Sequence, residues 1–167
     1  LRGNPGGLLE TYIGLAAIFL PADALVARTE GQSAEANHEY RANADSYLRR
    51  STNPNPLRQL PPELKTLPLV VLTDGATASG AEIVAAALKD QHRATLVGSR
   101  TYGRGSIQTV VPLGPGQGAI KFTTAHWVSP AGTRIQGTGL EPQVPVSDPD
   151  PAKVLDAALR ELASARR

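Results

Sequence analysis

Pro68-Leu69-Val70-Val71-Leu72-Thr73-Asp74-Gly75-Ala76-Thr77-Ala78-Ser79-Gly80-Ala81-Glu82-Ile83-Val84-Ala85-Ala86-Ala87-Leu88-Lys89-Asp90 is the stretch that decides the fold. Residues 68–73 are apolar almost throughout, the pattern of a strand covered on both faces. Asp74-Gly75-Ala76 turns the chain. Ala81 to Asp90 then reads as a helix, with Ile83, Val84, Ala87 and Leu88 on one face. Ala94 to Gly98 is a second apolar strand. Strand, turn, helix and strand in this order form a βαβ unit, which predicts a parallel pair with a right-handed crossover.

Further along, Ser106–Pro112 and Ala119–Val128 flank the turn Gly114-Pro115-Gly116-Gln117-Gly118 and read as a hairpin. Asp150 can cap a final helix, Pro151 suits its first turn, and Val154, Leu155, Ala158, Leu159 and Leu162 form its apolar stripe. Towards the amino terminus, Asn4-Pro5-Gly6-Gly7 is a turn signal. Leu8 to Leu20 reads as a buried helix, apolar on almost every face, and Ala24 to Arg28 as a short strand. Residues 30–67 are polar and rich in Asn, Pro, Arg and Glu; they read as a long connection with some local structure, anchored by Tyr40 and Tyr47. There is no internal repeat. The class is α/β with a mixed sheet.

The chain has 167 residues, enough for one domain with a core, and a formal charge of +2. That balance, with no Lys/Arg block interleaved with aromatics, gives no argument for a nucleic-acid partner. No cysteine is present, which excludes disulfides and thiolate metal sites. No His/Asp/Glu spacing points to a metal, and no cofactor is implied. The longest apolar run, Leu8–Leu20, contains Glu10 and is too short to span a bilayer. Leu1-Arg2-Gly3-Asn4-Pro5 reads as the middle of a longer polypeptide, so the chain is read as a fragment.

Ser79 has two readings. Ser79-Gly80-Ala81-Glu82 is a literal capping box ahead of an apolar helix, which accounts for both side chains without chemistry. The same junction also projects a serine at the carboxyl end of the sheet, with helix amino-terminal N–H groups behind it that can stabilise an oxyanion. Gly80 would let a substrate backbone approach. Thr77 and Ala81 stand where a Gly-x-Ser-x-Gly elbow has glycines. A serine nucleophile needs a base. His92 lies beyond the far end of the helix that Ser79 begins, and neither His38 nor His126 has a spacing that ties it to the serine.

Four segments together resemble the carboxy-terminal processing (tail-specific) serine peptidases. Leu1 to Leu9 resembles that family's Leu-Arg-x-Asn-Pro-Gly-Gly-Leu motif, and Thr77 to Glu82 its nucleophile segment. Thr101-Tyr102-Gly103-Arg104-Gly105-Ser106-Ile107-Gln108 resembles Thr-Phe-Gly-Lys-Gly-Ser-Val-Gln, and Ile135-Gln136-Gly137-x-Gly139-Leu140-Glu141-Pro142 the closing motif. The resemblance runs from residue 1 to about 146 and implies a crotonase-like (ClpP/crotonase) core and a serine–lysine dyad. It makes residues 1–149 the carboxy-terminal part of the peptidase core and 150–167 an added helix, with a PDZ domain and further protease segments lying upstream. It also implies a periplasmic bacterial home and protein or peptide substrates with apolar carboxy termini. By the same resemblance Ser79 is the nucleophile, Gln108 orients the base, and the amides of Gly80 and of Gly6 or Gly7, with Gly6 preferred, form the oxyanion hole.

Arg104 departs from the pattern, standing where the family has its catalytic lysine. Burial can strip a lysine of its proton near neutral pH. Arginine keeps its charge and offers five donors and no acceptor, so it cannot be the general base. Lys89, near the distal end of the helix, and Lys121, where the family commonly also has a lysine, are not replacements. The expectation is a serine endopeptidase that cleaves proteins near their carboxy termini, inactive in this form because of Arg104 and truncation. The alternative is a peptide-binding homologue without catalysis, whose fixed positive charge suits a peptide carboxylate. A crotonase-type acyl-thioester enzyme on the same fold is the third reading, opposed by the Ser79 segment. An exposed sheet edge could pair two copies.

Overall fold

A computed structural model describes residues 1–48, 55–148 and 150–165. Residues 49–54 of the polar connection, the domain boundary at Pro149, and Arg166 and Arg167 lie outside the described residues. The elements in chain order are α1 (Leu9–Phe19), β1 (Leu25–Gly31), β2 (Glu39–Arg41), α2 (Ala44–Tyr47), β3 (Val70–Thr73), α3 (Gly80–Asp90), β4 (Thr95–Gly98), β5 (Ser106–Pro112), β6 (Ala119–Val128), β7 (Val144–Pro145) and α4 (Pro151–Ser164).

The βαβ reading holds: β3 and β4 are parallel, from Val70 opposite Thr95 to Thr73 opposite Gly98, with α3 between them. The hairpin also holds, with β5 and β6 spanning the expected residues and a register irregularity at Ile107/Gln108. The expectation of one mixed sheet is corrected. The hairpin pairs with β1, not with β4, giving a four-stranded antiparallel sheet β2-β1-β6-β5 beside a three-stranded parallel sheet β3-β4-β7. Periodicity marks which segments are strands, but not which strand a hairpin joins.

Helix α3 lies at the centre of the chain's core. Every residue from Gly80 to Leu88 is buried, because α1, β1 and β4 surround it. The expected burial of the first helix is only partial: Tyr12, Ile13, Ala16 and Ala17 are buried, whereas Thr11 faces solvent. Its carboxyl end is held by two cations. Lys65 Nζ donates to the carbonyls of Ala17 and Leu20, and Arg93 Nε to that of Phe19, where the negative end of the helix dipole favours positive charge. Tyr40 and Tyr47 pack against the same core, as expected for anchors of the polar connection. That connection contains β2, α2 and short 3-10 turns.

At the other end, Asp150 caps α4 by accepting the Ala152 N–H at 2.9 Å, and Pro151 occupies the first turn as expected. The apolar stripe of α4 is only half used. Val154 and Ala158 pack against β3 and β4, while Leu155 and Leu159 are exposed. Among the described residues no helix is long and apolar enough to cross a membrane.

Candidate active site

Ser79 lies in the turn between β3 and α3 with φ 55° and ψ −121°. A non-glycine residue there is strained, and such strain persists only where surrounding structure enforces it. The turn thus reaches an elbow-like conformation without the glycines of the usual elbow motif. Glu82 makes its arm of the capping box by accepting the Ser79 N–H at 2.9 Å. The Glu82 amide donates to the Ser79 backbone carbonyl, also at 2.9 Å.

Glu82 does much more than cap. It is fully buried, and four groups donate to its carboxylate. Oε1 accepts the Thr101 hydroxyl at 2.5 Å and the Gly103 N–H at 2.7 Å; Oε2 accepts the Arg104 N–H at 2.8 Å and the Ser79 N–H. One oxygen therefore holds the backbone of both Ser79 and Arg104. A buried carboxylate needs this many donors to replace its lost water, and among the described residues no cation pairs with it.

Two further segments lock the same place. The Tyr102 N–H donates to the Thr77 carbonyl at 2.9 Å. The closing segment wraps the Arg104 loop: the Leu140 N–H donates to Thr101 Oγ1, the Gly105 N–H to Gln136 Oε1, and the Gly137 N–H to the Gly103 carbonyl. A Cβ on Gly139 would lie 2.3 Å from the Thr101 carbonyl oxygen, so only glycine fits this crossing.

The Asn4-Pro5-Gly6-Gly7 turn meets the serine from the opposite side. Gly6, at φ +92°, approaches so closely that a Cβ there would lie 2.7 Å from Ser79 Cβ and 2.9 Å from the Gly80 nitrogen. The Gly6 N–H is already engaged, donating to Asn4 Oδ1 at 3.0 Å. Among the described residues the N–H groups of Gly7 and Gly80 have no hydrogen-bond acceptor. Asn4 itself is fixed by the Tyr12 hydroxyl, which donates to Oδ1 at 2.8 Å. The need for glycine at position 80 has a cause within the fold: a Cβ there would lie 2.3 Å from Tyr12 Cδ2, so the Tyr12 ring occupies the side-chain direction.

The two remaining expected residues are placed less tightly. Arg104 is exposed, and its guanidinium lies over the Tyr102 ring at 5.0 Å, a cation–π contact. No carboxylate pairs with it among the described residues. Gln108 is exposed and its Nε2 donates to Thr123 Oγ1 at 2.7 Å and to Ser106 Oγ at 3.3 Å, so it does not hold the Arg104 side chain. None of the histidines joins the cluster: His126 stands opposite Ser106 on β6, His38 is exposed, and His92 follows the far end of α3. Among the described residues no group of His, Asp or Glu could hold a metal ion.

Residues 1–146 match Peptidase family S41. The chain is 40% identical over 153 residues to a carboxy-terminal-processing protease of Bartonella bacilliformis, covering 92% of this chain and 31% of that protein. It is 34% identical over 159 residues to the carboxy-terminal processing protease CtpA of Bacillus subtilis, covering 94% and 30% respectively. Among solved structures it resembles a photosystem II D1 C-terminal processing protease with a TM-score of 0.70 and 31% identity, covering 96% of this chain and 37% of that one. The chain thus spans about a third of the length of the curated relatives it matches.

Proposed function

Because the chain belongs to peptidase family S41, we propose that it carries the nucleophile half of a serine endopeptidase site that cleaves proteins near their carboxy termini. The observation that carries this reading is the shared Glu82 oxygen, which ties a strained Ser79 to the backbone of residue 104 beside two unengaged amides. In this reading Ser79 Oγ attacks the scissile carbonyl, and the Gly80 and Gly7 N–H groups receive the oxyanion. Gly7 replaces Gly6 as the preferred donor because the Gly6 N–H is taken by Asn4.

Arg104 stands at the base position and disarms the site, since a guanidinium does not accept the serine proton. Gln108 is assigned the orienting role towards a lysine at position 104. The core is assigned to the crotonase-like class, and the intact protein to the bacterial periplasm with substrates of apolar carboxy terminus; the relatives' names support carboxy-terminal processing by a bacterial protease and no more than that. The edge of β3 is assigned as a pairing edge for a second copy, and a clean monomer in size-exclusion chromatography would remove that assignment.

Proteolysis of an unstructured substrate with an apolar carboxy terminus by the full-length protein tests the main reading. Arg104 protein is expected to be silent and Arg104→Lys active, with that activity lost in the double variant lacking Ser79. Ser79-dependent cleavage by the Arg104 protein would show that another base serves.

The Arg104–Tyr102 contact favours a second reading, a peptide-binding site without turnover, since the guanidinium is free to meet a peptide carboxylate. It predicts peptide affinity that weakens in Arg104→Ala; equal affinity in the two proteins counts against it.

A further inference from the structure

The glycine turn reaches Ser79 because residues 1–4 are held against the serine-bearing loop, and Asp74 provides that hold. Both of its carboxylate oxygens accept the Gly3 N–H, at 3.1 and 3.0 Å. Oδ1 also accepts the N–H groups of Ala76 and Thr77, at 3.0 and 2.9 Å, and lies 3.0 Å from the Thr77 hydroxyl. That hydroxyl also lies 3.1 Å from the Leu1 carbonyl oxygen, and the Ala78 N–H donates to the Asn4 carbonyl at 2.9 Å. Asn4 in turn takes the Gly6 N–H. A continuous series of bonds therefore runs from Asp74 through Gly3 and Asn4 to the glycine that touches Ser79.

We propose that Asp74, as an ionised carboxylate, is a positioning residue for the oxyanion site: it fixes Gly3 and so sets where the free Gly7 N–H points relative to Ser79. This rests on reading Ser79 as the nucleophile and Gly7 with Gly80 as oxyanion donors. The charged groups facing Asp74 are Arg2 on the clasped segment and Asp148 across the shared cavity, itself paired with Lys153. Burial pushes the Asp74 carboxyl up, but the bonds from Gly3, Thr77 and Ala76 outweigh it and hold the group below its ordinary value. The carboxylate is therefore ionised at neutral pH, and its protonation, below the ordinary Asp value, weakens the clasp. Asparagine reproduces it only in part: its carbonyl can take the bonds that Oδ1 accepts, but its NH₂ is a donor and would face the Gly3 N–H that Oδ2 now accepts.

Binding of a peptide boronic acid to this chain tests the proposal. Ser79 Oγ adds to boron, its proton leaves to water, and the tetrahedral anion formed needs the same amide donors. Ser79→Ala is expected to abolish binding, and Asp74→Asn to weaken it by about 10-fold or more, as expected when a donor is misplaced by a fraction of its reach. Undiminished affinity in Asp74→Asn, with binding abolished in Ser79→Ala, overturns the role of Asp74 and spares the nucleophile. Undiminished binding by Ser79→Ala, or none by the unmodified chain, overturns the oxyanion reading and the proposal with it. Nuclear magnetic resonance of the unmodified chain reads the same coupling even if Asp74→Asn does not fold. The Gly3 and Gly7 amide protons are expected to shift together on acidification, below the ordinary Asp value of 3.8. A Gly7 resonance that stays still while Gly3 titrates overturns the proposal.

Discussion

The loops around Ser79 and the outer half of the β5–β6 hairpin are both built from short segments, yet they are held in opposite ways. Around Ser79, four separated stretches of chain meet through hydrogen bonds to the buried side chains of Glu82 and Thr101 and to the partly buried Asn4 and Asp74. In the hairpin, Thr109 pairs with Phe122 and Val111 with Ile120, and the side chains of Val111, Ile120 and Phe122 share one face and stay exposed. On the side away from β6, the edge of β5 has no neighbouring strand among the described residues. Large apolar side chains are thus spent where they fix nothing, while polar groups fix the site. Burial makes the difference, since an amide buried without an acceptor is costly and an exposed one is not.

The sharpest way to break this contrast is at Glu82. Replacing it with alanine leaves three amides and a hydroxyl without their acceptor, and glutamine sets an NH₂ against N–H donors. Chemical denaturation is expected to show a loss of at least ~3 kcal/mol for Glu82→Ala, from several buried groups each costing roughly 1–3 kcal/mol when unsatisfied. A loss below about 1 kcal/mol would mean that the loops hold without it.

A smaller effect is expected at Gly139→Ala, where the new Cβ meets the Thr101 carbonyl oxygen and the residue sits at φ +66°. Overpacking of this kind costs about 1–3 kcal/mol. Gly75→Ala, with nothing within 4 Å of its Cβ position, is the matched control and is expected to be near neutral. Equal midpoints for the two variants would remove the argument from close approach.

Acid should act on the clasp next. Asp74 has its folded value depressed below 3.8, so its stabilisation is complete above that pH and is lost as the pH falls through the folded value. The thermal midpoint of Asp74→Asn is expected to lie below that of the unmodified chain at pH 6 and to converge with it in strong acid. A gap that persists there would assign the effect to packing. The smallest change is expected in the hairpin, where Phe122→Ser or Val110→Thr should move stability by no more than about 0.5 kcal/mol, as for other exposed positions.

Much of this arrangement was legible in the chain. Apolar alternation and turn residues located β3, α3, β4 and the β5–β6 hairpin almost to the residue, and the motif order indicated the family and Ser79. Glu82 was visible only as a helix-capping residue, because its partners Thr101, Gly103 and Arg104 lie on a loop about 20 residues away with no periodic relation to it. Asp74 was visible only as a turn residue, since Gly3 is its partner across most of the intervening chain. Leu155 and Leu159 looked like core residues because a helical stripe reports which side chains could be buried together, not whether a second surface arrives to cover them.

The sequence by itself determined the elements, the family and the residue types at the site, because those follow from local propensity and from spacing along one segment. Tertiary structure alone decided that the hairpin joins β1, that Tyr12 fills the space at Gly80, that Gly7 keeps its amide free while Gly6 does not, and that Glu82 binds serine and Arg104 backbones on one oxygen. Each of these depends on which distant backbone groups are brought out of water together, and a buried hydrogen bond is chosen by that meeting, not by the neighbours in the chain.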